Sequence, residues 1–242
     1  MLNARAAIQR LGASLKIDVK QILNNIYEHV MAFFYPPQCC ACGEDVRAGQ
    51  LICEPCLDEL ERHRVKNSRT LKYKGRQYTL NSIYRYSYDN VASSIVKRVK
   101  YMNKLNGTRF IGSVLAQKAS RLSAEYDVVT YVPMTRINEL KRGYNQGDYI
   151  SAALAKQLKL PQRMLLIKRF NTVDQHRLTA SKRRENLNGA FKVRGNVKDK
   201  RILIIDDVIT TGTTLCECAD TLYRAGARSV TLLSFSMVRM GH

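Results

Sequence analysis

Arg201-Ile-Leu-Ile-Ile-Asp-Asp-Val-Ile-Thr-Thr-Gly-Thr-Thr214 is the stretch on which the fold turns. Ile202 to Ile205 form a short apolar run, as expected of a strand covered on both faces. Asp206 and Asp207 follow at its carboxyl end, where open α/β sheets bind their ligands. Thr210, Thr211, Gly212, Thr213 and Thr214 then make a hydroxyl-rich turn into a helix. Gly212 permits a positive φ and close approach of backbone to phosphate. Thr213 or Thr214 can cap the helix, which runs to about Ala225 and stops at Gly226. Ser229 to Phe235 reads as the next strand. Carboxylates suit sugar hydroxyls, and turn N–H groups with threonine hydroxyls suit a phosphate, so the stretch predicts a sugar-phosphate site. Adjacent aspartates on a strand point to opposite faces, and one turned inward needs partners.

The stretch resembles the ribose-phosphate signature of type I phosphoribosyltransferases. A Walker site is excluded, because no Gly-Lys-Ser/Thr occurs. No G-x-G-x-x-G precedes a helix either, which argues against a dinucleotide fold.

The length, 242 residues, has room for one substantial α/β domain and a small module. No apolar run approaches the ~18 to 20 residues of a membrane span. Met1 to Lys20 is charged and lacks the apolar core of a signal peptide, so a cytoplasmic protein is expected. The net charge is +20, and the whole excess falls between residues 67 and 200. Such a basic face favours a polyanion, nucleic acid foremost, over a merely solubilising surface. The candidate contacts are Lys97, Arg98, Lys100, Arg142, Arg177, Lys182 and Arg184. Tyr73, Tyr78, Tyr84, Tyr86, Tyr88 and Tyr101 are interleaved with cations in the same region. Tyrosines can stack on unpaired bases while cations follow phosphates; alternatively, Tyr84, Tyr86 and Tyr88 form a buried strand face.

Three parts are expected. Residues 1–35 make a helical arm with Ile17, Ile22, Ile26 and Val30 at near-helical spacing. Residues 36–66 hold the cysteines and then a charged helix from Leu57 to about Lys66. Residues 67–242 make the α/β domain. Within it, 77–88 alternates as a strand, and helices are expected near Asn90 to Tyr101 and Thr108 to Leu122. Strand Val128 to Val132, a loop, helix Tyr144 to Leu158, strand Leu165 to Lys168 and a short strand near Phe191 follow. The alternation of strand and helix from 128 onward predicts a parallel sheet.

Cys39-x2-Cys42 and Cys53-x2-Cys56 can place four sulfurs in a tetrahedron, with Gly43 suited to the first turn. Structural zinc is the expected ligand, with disulfides or an iron–sulfur cluster as alternatives, disulfides being disfavoured in a reducing cytoplasm. Cys40 offers a second register through Cys40-x-Cys42. Cys216 and Cys218 read as small helix or core residues.

Taken together, the chain resembles the ComF family, over about residues 36 to 236. The resemblance begins with Pro36-Pro37 and the four cysteines. It continues through Tyr131-Val-Pro133, Arg136 and Lys141-Arg142-Gly143-Tyr144-Asn145-Gln146, then Gln175, Leu178, Arg183, Asn186 and Ala190-Phe191, and ends with Asp206-Asp207 and Thr210 to Thr214. The helical arm and Cys40 are extra. The resemblance implies a phosphoribosyltransferase-like parallel sheet flanked by helices, with an N-terminal zinc ribbon. It implies handling of single-stranded DNA in natural transformation, beside a helicase-like competence ATPase that would recruit the protein to the inner face of the membrane. It also implies a pocket for phosphoribosyl pyrophosphate with Mg²⁺. Asp206 and Asp207 would take the ribose hydroxyls and Thr210 to Thr214 the 5′-phosphate; Arg136, Arg142 and Arg183 would meet the remaining phosphates. An active transferase acting on a base, nucleotide or nucleic-acid acceptor is the other function the resemblance allows.

Overall fold

A computed structural model describes residues 37–102, 105–169 and 189–238. The expected arm, and Arg177, Lys182, Arg183 and Arg184, lie outside the described residues. The elements run α1 (Glu54–Arg62), β1 (Arg69–Tyr73), β2 (Arg76–Tyr86), α2 (Val91–Tyr101), α3 (Asn106–Ser120), β3 (Val128–Tyr131) and α4 (Arg136–Arg142). Then come α5 (Gln146–Leu158), β4 (Leu166–Lys168), β5 (Phe191–Val193), β6 (Arg201–Ile209), α6 (Thr213–Arg224) and β7 (Ser229–Val238).

The main sheet has the order β1-β2-β7-β6-β3. β2, β7, β6 and β3 are mutually parallel, and β1 adds an antiparallel edge. Three of the parallel strands come from the region where alternation predicted them. The fourth, β2, comes from the preceding tyrosine-rich segment. The strands at Leu166 and Phe191 do not join this sheet; they form a separate antiparallel ribbon with Leu166 opposite Val193. Their three-residue lengths and half-buried alternation suit a ribbon better than a strand covered on both faces.

Strand parity distributes β6 between two cores. Leu203 and Ile205 pack among α2, α3 and α5, together with Ile83, Tyr84, Val129 and Phe235. Ile202 and Ile204 pack on the opposite face with Leu215, Ala219 and Leu222 of α6. The strand continues beyond Ile205, because its ladder to β7 runs on through Asp206 opposite Ser234 and Ile209 opposite Met237. The two acids therefore lie within the strand rather than after it. The charged helix also begins earlier than expected, at Glu54 with Pro55 in its first turn, and ends at Arg62.

The cysteine segment shares the first core, which includes Cys39, Cys40, Ala41 and Leu60. The Tyr84 hydroxyl donates to Glu61 at 2.7 Å. The Val65 N–H donates to the Ile83 carbonyl and the Arg85 N–H to that of His63, both at 2.7 Å. No helix among the described residues is long and apolar enough to cross a membrane.

Candidate functional site

The turn after β6 is built around Gly212, whose φ is +86°. A β-carbon there would lie 2.4 Å from Leu80 Cδ1 and 3.1 Å from Arg69 Nη2, so only glycine fits. Gly212 itself is the N-cap of α6, and Thr213 and Thr214 are its first residues rather than its caps. The Thr211 hydroxyl accepts from the Thr213 N–H at 3.3 Å and lies 3.0 Å from the Thr213 hydroxyl. Arg69, from the edge strand, holds the turn from behind: its Nη2 donates to the Thr211 carbonyl at 2.7 Å and the Thr210 carbonyl at 3.4 Å. Sequence offered no signal for this residue, since a lone arginine 141 and 142 positions from the carbonyls it holds reads as a surface charge.

Asp207 shares the parity of Leu203 and Ile205 and turns toward α2 and α5. It is 6% exposed, and both of its oxygens are engaged. Lys100 Nζ of α2 lies 2.9 Å from Oδ1, and Gln146 Nε2 of α5 donates to Oδ2 at 3.2 Å. Arg142 donates in turn to Gln146 Oε1, and its guanidinium lies 5.9 Å from the Tyr101 ring centre. Asp206 points the other way and is only half-buried. Its Oδ1 accepts from the Asp207 N–H at 2.9 Å. Burial, followed by the negative charge of Asp207, pushes the Asp206 carboxyl up to about 7, against the pull of Lys100. Burial draws the Lys100 ammonium down, but Asp207 and then Asp206 outweigh it, so the ammonium is held above its ordinary range. The Tyr144 hydroxyl is buried without a hydrogen-bond partner among the described residues.

The Lys141 to Gln146 segment now has a physical reading. Gly143, with φ +80°, ends α4 in the left-handed conformation. Asn145 caps α5 by accepting from the Gly147 N–H at 3.1 Å. That cap fixes Gln146, the next residue, where it reaches Asp207. The loop expected between β3 and α5 thus contains the short helix α4. Arg136, its first residue, is exposed and forms no ion pair among the described residues. The structure therefore brings Asp207, Gln146, Arg142 and Lys100 together.

The candidate nucleic-acid residues separate. Lys100 turns into the acid pair. Arg98 packs on the cysteine turn: a β-carbon on Gly43 would lie 2.7 Å from its Nη2. Lys97 remains exposed, donating to the Tyr88 carbonyl at 2.7 Å with its ammonium 5.7 Å from the Tyr88 ring centre. Tyr73, Tyr78 and Tyr84 are buried core residues and Tyr86 is half-buried, whereas Tyr88 and Tyr101 are 80% and 76% exposed. Lys97 and Tyr101 stand one helical turn apart on α2. An exposed strip of Tyr88, Lys97 and Tyr101 results, with the half-buried Arg142 beside Tyr101.

The sulfurs of Cys39, Cys42, Cys53 and Cys56 lie within 4.8 Å of one another. Cys42 and Cys53 are 3.8 Å apart, close to the ~3.8 Å edge of a tetrahedron with Zn–S bonds of ~2.3 Å. The Cys39 sulfur accepts from the Ala41 and Cys53 N–H groups, each at 3.4 Å. Burial acts to raise this thiol, but the N–H groups of Cys53, Cys42 and Ala41 outweigh it and bring it down to about 6. The donors fit structural zinc. Cys40 is 1% exposed in the core, which settles the register in favour of Cys39. Cys216 and Cys218 are buried on α6, as expected of core residues.

The phosphoribosyl transferase domain family matches residues 145–235, and the double zinc ribbon domain family matches residues 30–68. The chain's three cysteines beyond the zinc set are Cys40, Cys216 and Cys218, so it carries a single complete set of four. Competence protein F of Haemophilus influenzae is 30% identical over 153 residues, covering 59% of this chain and 66% of that protein, just under two thirds of its length. DNA utilization protein YhgH of Salmonella typhimurium is 29% identical over 198 residues, covering 79% of this chain and 86% of that one. Among solved structures, an allosteric regulatory enzyme of purine biosynthesis is 26% identical with a TM-score of 0.38; the match covers 52% of this chain and 25% of that enzyme.

Proposed function

We propose that this chain is a ComF family protein, that it handles single-stranded DNA in natural transformation and that it carries a pocket for phosphoribosyl pyrophosphate. The observation that carries the pocket is Asp207, a nearly buried carboxylate presented beside a complete threonine–glycine phosphate turn. Ribose hydroxyls donate to that carboxylate, and the 5′-phosphate takes the turn N–H groups at the start of α6. Mg²⁺ belongs with the diphosphate, and the hard carboxylate oxygens of Asp206 and Asp207 are the donor type it prefers. When bound, it would neutralise the diphosphate.

The DNA reading rests on the exposed Tyr88, Lys97 and Tyr101, with the half-buried Arg142 beside Tyr101, in the segment that holds the excess charge. Stacking on the two tyrosines with phosphates on the cations gives sequence-tolerant binding. The protein works in the cytoplasm, next to a helicase-like ATPase at the inner face of the membrane. Fluorescence anisotropy with a labelled oligonucleotide tests this reading. Affinity is expected to fall steeply between 50 and 200 mM salt, as in any phosphate-led complex, and to drop in Tyr101→Ala. Salt-insensitive binding would overturn the reading.

Active transfer is the second reading, favoured by the presence of both aspartates and every residue of the turn. Pyrophosphate release from phosphoribosyl pyrophosphate, with bases or DNA as acceptors, separates the two readings. Release that disappears in Asp206→Asn/Asp207→Asn supports the enzyme; binding without release supports a retained pocket.

A further inference from the structure

Helix α2 sends three neighbouring cations in three directions. Lys97 faces solvent and Lys100 reaches Asp207. Arg98 stands roughly 100° round the helix from Lys97 and points at the cysteine module. A β-carbon on Gly43, the residue after Cys42, would lie 2.7 Å from its Nη2, 2.9 Å from its Nη1 and 3.1 Å from its Cζ, so the guanidinium covers the first cysteine turn. The turn is held in that place. Asn106 at the start of α3 donates to the Gln38 carbonyl at 2.6 Å, and Cys40 is buried in the first core with Ile95, Val96 and Val99 of α2.

Arg98 has no carboxylate to answer it. It is half-buried, its Nε is buried without a hydrogen-bond partner, and none of the ion pairs among the described residues involves it. Leaving a cation in such a place without a counter-charge is costly. The anion beside it is the metal centre, because four thiolates outweigh the charge of the Zn²⁺ they hold.

We propose that Arg98 is the counter-ion of the zinc centre: reaching over the first cysteine turn from α2, its positive charge stabilises the tetrathiolate and raises the affinity for the metal. Resting on the zinc reading of the four cysteines, this makes Arg98 a positioning residue rather than a ligand, since a guanidinium is a donor only. The same contact ties the ribbon to the helix that carries Lys97, Lys100 and Tyr101.

Zinc affinity of the full chain, measured by equilibrium competition with a colorimetric chelator, tests the inference. Arg98→Met and Arg98→Gln are each expected to bind zinc about tenfold more weakly or worse, the scale of losing an outer partner of a metal site. Arg98→Lys keeps the charge and is expected to stay close to wild type. Thermal melts separate charge from packing. Zinc-loaded Arg98→Met is expected to melt below zinc-loaded wild type, whereas the metal-free forms melt alike, because without the metal centre Arg98 has nothing to pair with. Equal zinc affinity in wild type and Arg98→Met, or an Arg98→Lys as weak as Arg98→Met, overturns the inference. So does an equal drop in melting temperature with and without metal, which marks Arg98 as a packing residue alone. If Arg98→Met does not fold, Arg98→Gln carries the same comparison. Wild-type protein that holds no zinc overturns the zinc site itself, and the inference with it.

Discussion

Replacing Asp206 with asparagine is expected to stabilise this protein, by an amount that grows as pH rises from about 4 and levels off above about 7. Burial and the neighbouring Asp207 charge raise the Asp206 carboxyl from 3.8 to about 7. Between those values the native state holds a proton that the unfolded chain has released. Stability therefore falls as pH rises through this window, and the loss is complete above about pH 7. At about 1.4 kcal/mol per pKa unit the full shift amounts to roughly 4 kcal/mol. Asp206 is partly exposed and solvent screens it, which reduces the expectation to about 1–2 kcal/mol. Asparagine removes the charge but keeps the Oδ1 that accepts from the Asp207 N–H. Urea unfolding from pH 4 to 9 should give nearly equal stabilities at pH 4 and an advantage of about 1–2 kcal/mol for Asp206→Asn at pH 8. In melting temperature the pH 8 gain is about 2–8 °C for a chain of this size. Asp207→Asn should flatten part of the same pH dependence, since it removes the second cause of the shift. Parallel pH profiles for wild type and Asp206→Asn would refute the reasoning. A more stable variant that binds ligand less well would identify Asp206 as a residue retained for function at the expense of stability.

Other outcomes follow from the same packing. Gly212→Ala introduces a β-carbon 2.4 Å from Leu80 Cδ1 at a φ of +86°; strain and overpacking together should cost roughly 2–4 kcal/mol in urea unfolding. Combining it with Leu80→Val should recover the overpacking part and leave the strain. Arg69→Met removes the donor to the Thr210 and Thr211 carbonyls, so binding of a phosphoribosyl ligand should weaken several-fold, while stability, read by urea unfolding, changes by about 1 kcal/mol or less. Metal chelation should lower the melting temperature of the whole chain, because Cys39, Cys40 and Ala41 share the first core. Cys42→Ala should lose zinc in a metal assay, whereas Cys40→Ala should keep it and still lose stability through the cavity it leaves.

Much of the site was legible because its residues carry their own local chemistry. The apolar run into Asp206-Asp207, the glycine turn and the paired cysteines each solve a short-range problem, and short-range problems leave patterns of residue type and spacing. The boundaries were less legible. β6 extends four residues beyond Ile205 because β7 supplies a ladder, which no propensity within 201–209 encodes. The cap of α6 fell to Gly212 rather than a threonine, because Leu80 and Arg69 press on the turn and force a left-handed residue there. β4 was read into the parallel sheet from an alternation that a separate ribbon also produces.

The tyrosine-rich segment shows the division most plainly. Its sequence allowed either a stacking surface or a buried strand face, and both are present: Tyr73, Tyr78 and Tyr84 are core, while Tyr88 and Tyr101 face solvent. Tyr78 packs in the second core and Tyr84 in the first, because β2 is covered on both faces; the end of β2 at Tyr86 released Tyr88. Lys100 makes the same point for charge. Composition could count it toward a basic face, but only helix α2 packing over β6 could bring its ammonium to Asp207.

By itself the sequence determined the kind of sheet, the threonine–glycine turn, the four cysteines suited to zinc and the sign of the central charge, because each is carried by residues adjacent or nearly adjacent in the chain. Only the tertiary structure decided which cations turn toward the acids and which face outward, and which aspartate is held. Those outcomes depend on charges brought within about 3 Å from strands and helices far apart in sequence, where pairing and desolvation outweigh anything the local chain prefers.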